Sequence, residues 1–174
     1  MHYRRSVRLK GYDYSQRGAY FITICAHSRE CLFGDVVDGE IRLSDYGHVV
    51  EKEWMKTADI RQNIYLDCYM VMPNHFHGIV VIDDDCRGTA RRAPTEERFA
   101  KPVAGSLPTI MRSFNSAVTK NINEIRNTPG VPVWQRNYYE HVIRNDDEMN
   151  HIREYIVNNP ARWAEDEENP GNVR

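Results

Sequence analysis

This sequence predicts an α+β fold, one antiparallel sheet with helices packed on it. Three observations carry the prediction. Aromatic and β-branched runs recur as short extended segments, at 19–27, 64–72, 75–82 and 138–143. Tight-turn signals, Asp38-Gly39 and Pro73-Asn74, stand between neighbouring runs. Apolar residues at helical spacing fill the intervening stretches.

Taken in order, Ala19 to His27 reads as a buried strand, because its alternating positions are Tyr, Phe, Ile and Thr. Val36 to Ile41 is a hairpin about Asp38-Gly39. Ser44 is an N-cap, and Val49, Val50, Glu53, Trp54 and Met55 follow at helical spacing, which gives a helix over about 44–57. Residues 64–72 and 75–82 are two strands joined through Pro73-Asn74. Residues 83–106 have no period and hold Gly88, Pro94, Pro102 and Gly105, so a long flexible surface loop is expected. Ile110, Phe114, Val118, Ile122 and Ile125 form one stripe of a helix over about 107–126. Residues 133–135 and 138–143 are extended. Asn145 caps a last helix through Met149, Ile152 and Ile156, with Pro160 its weak point. Trp134 and Trp163 are expected in the core. Helices interspersed with antiparallel strands suggest a ferredoxin-like split arrangement. With no internal repeat, one domain spans 1–174, with a basic arm at 1–17 and an acidic tail at 164–174.

Composition narrows the function classes. Apolar residues make up 41% and charged residues 28%, as in ordinary globular proteins. No apolar run approaches the ~20 residues of a membrane span. The basic N-terminus has no apolar stretch behind it, so no secretory signal or membrane association is expected, and the predicted location is the cytoplasm. Cys25, Cys31, Cys68 and Cys86 lack CxxC spacing, which argues against a thiolate zinc site and for reduced thiols. The net charge is −2, yet basic residues cluster: Arg4, Arg5, Arg8, Lys10 and Arg17 near the start, and Arg87, Arg91, Arg92, Arg98 and Lys101 in the predicted loop. Such patches hold phosphates; the alternative is solvated charge on loops.

Two motifs carry chemistry. In His75-Phe76-His77, positions i and i+2 of a strand share a face, so both imidazoles can approach one cation while Phe76 packs the other way. The alternative is two histidines on a half-exposed strand face. Tyr155 and Asn159 stand at i and i+4 of the last helix and so lie one above the other. Here the alternatives are a core-edge tyrosine and a C-terminal cap. The motifs gain meaning jointly. A phenol with a pKa of ~10 is a poor nucleophile until a cation stabilises the charge that develops on its target. Two histidines leave at least one ligand to come from elsewhere, and a carboxamide one turn beyond the tyrosine would place ion and phenol at one phosphate.

Met72-Pro73-Asn74-His75-Phe76-His77-Gly78-Ile79-Val80, the block Trp134 to Arg144, and Tyr155-Ile156-Val157-Asn158-Asn159-Pro160 together resemble the single-tyrosine HUH transposases, and most closely the REP-associated tyrosine transposases of bacteria. The resemblance covers residues 3–163. It implies a ferredoxin-like fold, His75 and His77 as the metal-binding pair, Asn159 as third ligand and Tyr155 as the catalytic tyrosine. The implied reaction is attack of Tyr155 on a phosphodiester of single-stranded DNA, leaving a 5′-phosphotyrosine and a free 3′-OH that allows rejoining. The implied cofactor is Mg²⁺ or Mn²⁺. Two imidazoles alone favour zinc or another transition metal, so the metal's identity rests on the resemblance. The implied partner is hairpin DNA of the repetitive extragenic palindrome (REP) type, bound by a monomer or homodimer in a bacterial nucleoid. Arg4, Arg5, Arg8 and Lys10, with Arg136 and Arg144, are the candidate DNA contacts. Tyr3, Tyr12 and Tyr14 either stack on unpaired bases or simply pack.

Rivals remain inside the sequence. Tyr138 and Tyr139 form a second tyrosine pair, disfavoured by an extended setting without an i+4 ligand. His141 and His151 are additional site histidines by position, His151 one turn before Tyr155. A binding protein without activity would lack part of the set, which is present in full. A metal hydrolase working through bound water would need carboxylates, for which Asp67 and Glu140 are the nearest acids.

Overall fold

The computed structural model describes residue 9 and residues 11–83 and 103–172. Arg4, Arg5, Arg8, Lys10, Tyr3, Cys86 and most of the predicted loop lie outside the described residues. The elements are β1 (Gly18–Cys25), β2 (Gly34–Val37), β3 (Glu40–Leu43), α1 (Asp45–Asp59), β4 (Ile64–Val71), β5 (His75–Ile82), α2 (Leu107–Ile125), β6 (Tyr139–Ile143) and α3 (Asp146–Asn158).

Four strands form one antiparallel sheet in the order β4-β5-β1-β6, and β2 and β3 form a separate hairpin. Leaving out that hairpin and α3, the chain runs β1-α1-β4-β5-α2-β6. That is the split βαβ pattern of a ferredoxin-like fold, with the first strand inside the sheet and the last beside it. The local signals explain the boundaries. Asp38 and Gly39 both have positive φ, +54° and +78°, as the hairpin turn between β2 and β3 requires. The Ser44 hydroxyl accepts from Gly47 N at 3.2 Å and starts α1, and the Asn145 carboxamide accepts from Glu148 N at 2.8 Å and starts α3.

Strand alternation splits the interior in two. Tyr20, Ile22 and Ile24 of β1 join Phe76, Val80 and Ile82 of β5 in the large cluster with α1 and α2, where Trp54 packs on Phe76 and Phe114. A side chain at Gly78 would meet that packing, since a Cβ there would lie 2.6 Å from Trp54 Cζ2. On the opposite face Phe21 and Ile79 meet Ile143 and Ile156 in a smaller cluster under α3.

Several expectations need correction. The extended run at 133–135 makes only a single bridge, Ala26 with Trp134. Ile125 is exposed because the buried stripe of α2 ends before it, and Met55 because it lies off the stripe of α1, which runs through Trp54 to Thr57. Tyr14 is buried and forms an aromatic cluster with Tyr12 and Tyr20, so these rings pack and do not offer themselves to bases. Trp134 is in the core, but Trp163 belongs to neither cluster and instead lies 5.9 Å from the His75 ring. Asn159 is the C-terminal cap residue of α3, its N–H bonded to Ile156 O, but with right-handed geometry, φ −59° and ψ −43°, so the chain passes through it into a 3-10 turn, Pro160–Glu165. No described helix is long and apolar enough to cross a membrane, and Cys25, Cys31 and Cys68 are free thiols.

Candidate active site

His75 and His77 open β5 on the face that α3 covers, and Phe76 between them points into the large core. The histidines are buried, 0% and 2% exposed, so the half-exposed strand face is ruled out. Their rings stand 4.5 Å apart. Each is held by a neighbour through its Nδ1. His77 Nδ1 is 2.8 Å from the hydroxyl of Thr23, its direct partner across β1. His75 Nδ1 is 2.9 Å from Asn74 Oδ1.

The second contact fixes a tautomer. The Asn74 amide nitrogen donates to Arg29 O and Glu168 O, at 3.2 and 2.6 Å, so the oxygen of this carboxamide is the atom that faces His75. An amide oxygen only accepts, so His75 Nδ1 carries the proton and Nε2 presents a lone pair. That Nε2 is buried without a hydrogen-bond partner among the described residues, as is Asn159 Oδ1. Burial drives the His75 pKa down to about 4, against smaller upward pulls from the Asp166 carboxylate and the Asn159 amide. Burial and the neighbouring His75 hold His77 well below its ordinary value. Both rings are therefore neutral at pH 7 and ready to act as donors.

Tyr155 reaches the pair from α3. Its hydroxyl is 3.4 Å from His77 Nε2, and the two rings are 5.2 Å apart. Ile156 docks this helix on the sheet, with Met149 and Ile152 packed beside it. The register is pinned by Arg153, whose guanidinium forks onto Asp67 at 2.8 and 2.7 Å. Asp67 is available to it because β4 is irregular between Leu66 and Tyr69. Burial raises the Tyr155 pKa, Asp166 adds to the rise, Asn159 opposes it, and Glu168 and Glu167 contribute further upward pulls. Asn159 thus interacts with both His75 and Tyr155.

The remaining candidates fall elsewhere. Arg136 and Arg144 are exposed on the segments flanking β6. His141 is paired with Glu148 at 2.6 Å, and His151 is exposed. Tyr139 is exposed and Tyr138 packs against the large cluster. Neither hydrolase acid reaches the histidines. Asp67 is bound to Arg153, and Glu140 sits opposite Ile22, on the face turned away from the pair. Among the described residues no third His, Cys, Asp or Glu completes a metal-binding group. Nor is Cys25 a rival nucleophile, since burial and the Glu168 carboxylate push its thiol up to about 12.

Sequence reasoning missed Thr23, Asn74 and the approach of residues 166–168. Cross-strand register would have found Thr23, and a turn asparagine directly before a histidine pair was a signal for Asn74. The tail offered no local signal. Two buried lone pairs, on His75 Nε2 and Asn159 Oδ1, beside the His77 Nε2 that faces a phenol, make a nitrogen-and-oxygen donor set that fits a divalent cation next to a nucleophile.

No protein-family model matches the chain. An uncharacterized protein of Haemophilus influenzae is 38% identical over 171 residues, covering 96% of this chain and 93% of its own length. A second protein of the same organism, provisionally named a REP-associated tyrosine transposase, is 27% identical over 151 residues, covering 86% of this chain and 74% of its own. Among solved structures, that of a REP-associated tyrosine transposase bound to a REP hairpin matches with a TM-score of 0.56 at 19% identity, covering 94% of this chain and 74% of that one. That likeness is one of fold, and it agrees with the ferredoxin-like order of the sheet. The sequence likeness to the second Haemophilus protein and the fold likeness to the hairpin-bound structure point the same way: what this chain is similar to is the REP-associated tyrosine transposases.

Proposed function

We propose that this protein cuts and rejoins single-stranded DNA, with Tyr155 as the nucleophile and a divalent cation held by His75, His77 and Asn159. The observation that supports it most is the convergence of the Tyr155 hydroxyl on the buried histidine pair, 3.4 Å from His77 Nε2, within one chain. When bound, the cation supplies Lewis-acid stabilisation of charge on the phosphate. Mg²⁺ or Mn²⁺ is the choice the family resemblance implies.

The chain's own residues do the rest. Asn74 and Thr23 orient the two rings. The Asp67–Arg153 fork sets the height of Tyr155 over them. The phenol is held protonated at rest by burial and by Asp166, so its proton must leave as the phosphate arrives; the ring is 45% exposed, which leaves a path to solvent. The Tyr155 oxygen bonds to phosphorus, the bond from phosphorus to the 3′ oxygen breaks, and that oxygen takes up a proton. One phosphate ester replaces another, so the step is close to thermoneutral and a new 3′-OH can reverse it. The substrate we assign is a REP-type hairpin with an unpaired flank, the ligand of the structurally similar transposase. Arg4, Arg5, Arg8, Lys10, Arg136 and Arg144 contact its backbone.

The test uses a hairpin oligonucleotide with single-stranded flanks, labelled at either end, with Mg²⁺ or Mn²⁺. A denaturation-resistant adduct carrying the 3′-labelled fragment is expected, with the 5′-labelled fragment released. Tyr155→Phe lowers adduct and cleavage by about a thousandfold or more. His75→Ala abolishes cleavage and leaves hairpin binding. Cleavage that survives Tyr155→Phe points to a hydrolase and overturns the proposal, as does binding without any product.

A further inference from the structure

A hollow of about 480 Å³ opens beside Tyr155, between β6 and α3, and is lined by Phe21, Tyr139, His141, Glu148, Ile152 and Tyr155 among others. We propose that this hollow seats one unpaired nucleobase, that of a nucleotide adjoining the scissile phosphate, with the base's amino edge toward Glu148. The inference rests on the reading of Tyr155 as a nucleophile toward DNA.

Phe21 ties the hollow to the site. Its ring lies stacked on His77 at 5.6 Å and meets Tyr155 and Tyr139 edge-on at 6.1 and 6.3 Å. One buried ring is thus the floor beneath both the phenol and the hollow. A nucleotide whose phosphate stands at the Tyr155 hydroxyl has its base within reach of that floor. The walls are Tyr139 and Tyr155, 46% and 45% exposed, two large rings left open to water beside an empty volume. The volume lies within the range of ligand pockets, about 300–1,000 Å³. An unpaired base has apolar faces to cover, and aromatic rings cover them whatever the base.

The polar rim selects the base over the phosphate. None of the lining residues is Lys or Arg. Glu148 is fixed there by two hydrogen bonds, from His141 Nε2 at 2.6 Å and from Arg144 N at 2.7 Å. Those donors keep its carboxyl ionised, with the backbone amide of Arg144 the larger influence. A fixed carboxylate repels phosphate and accepts from an exocyclic amine. Adenine, cytosine and guanine carry such an amine and thymine does not.

The test maps the cleavage position on the hairpin oligonucleotide. It then measures affinity in EDTA by fluorescence anisotropy for strands with one abasic site walked across that position. Tyr139→Ala is expected to weaken binding of the intact strand about tenfold, and Tyr139→Phe to bind like the wild type. One abasic position next to the break weakens the wild-type complex by a similar factor and adds nothing to Tyr139→Ala; thymine there weakens it too. If the losses add in full at every position, or Tyr139→Ala binds normally while cleavage persists, the pocket is refuted and the nucleophile stands. If the wild type forms no adduct at all, the reading of Tyr155 fails and this inference falls with it.

Discussion

The two faces of β1 and β5 are built from alternate residues of the same strands, and they do opposite things. Tyr20, Ile22, Ile24 and Phe76 face α1 and α2 and are almost wholly apolar in their surroundings. Thr23, His75 and His77 face α3 and carry hydrogen bonds, one unpaired nitrogen at His75 Nε2 and the contact with a phenol. Because the side-chain period of a strand is two, a one-residue step separates the residues that hold the protein together from those positioned for chemistry. The stability of one face allows the other to bury two imidazoles at a cost. Their depressed pKa values are the measure of that cost.

The sharpest way to break the comparison is to truncate one residue on each side of that step. Phe76 is fully buried against Trp54 and Phe114. Phe76→Ala should cost about 3–5 kcal/mol of unfolding free energy, from lost burial and the cavity left behind. His77→Ala should cost much less in the metal-free protein, because the imidazole it removes was unfavourably desolvated. Guanidinium unfolding of the two variants, in EDTA, checks this. Equal losses would mean that the histidine face supports the fold as much as the core does.

This contrast was legible in the sequence only halfway. Elements whose signals are local came through: Ser44 and Asn145 as caps, Asp38-Gly39 as a turn, and the shared face of His75 and His77 from strand period alone. Packing of the histidines was not legible. Their cover comes from Tyr155, Trp163 and residues 166–168, and the tail reaches them through contacts such as Arg29 with Glu168, distant in sequence. Read locally, Glu165 to Glu168 is a run of solvated acids, and nothing in its composition says which surface it returns to. Tyr12 and Tyr14 show the converse: aromatic residues beside a basic arm read equally as base-stacking or packing groups, and it is Tyr20, outside that arm, that gathers them into a cluster. Asp67 and Glu140 were plausible ligands by type. Register sends one to Arg153 and the other to the far face.

Titration sharpens the comparison further, because burial displaces both histidines of the α3 face from their ordinary pKa. His75 has a folded-state pKa of about 4 against an ordinary value of 6.5. Between those values the unfolded chain binds more protons than the native one, so stability rises with pH across this window. The metal-free protein should therefore lose about 3 kcal/mol from this residue as pH falls from 7 to 4, because a tenfold difference in proton affinity between the folded and unfolded chain is worth about 1.4 kcal/mol. His77 adds to the loss in the same direction. Denaturant melts at intervals of half a pH unit read the slope directly. In His75→Ala the slope should shrink, and an unchanged slope would place the titrating groups elsewhere.

The smallest effect concerns Asp166, which acts on the site from the tail. Its carboxylate favours protonated His75 and opposes ionisation of Tyr155, and in Tyr155 it stands second to burial. Asp166 Oδ1 also accepts from Glu168 N at 2.6 Å, a bond that an asparagine oxygen can keep. Asp166→Asn therefore removes the charge and leaves the local turn. Because burial, the larger cause, is untouched, the Tyr155 pKa should fall yet stay above the ordinary phenol value. Ultraviolet titration of the phenol, taken as the difference from Tyr155→Phe, measures it. The His75 pKa should move down as well, in the same direction as the tyrosine, because one negative charge stabilises the protonated form of both. A movement of the two groups in opposite directions would show that the substitution had displaced the tail instead of discharging it.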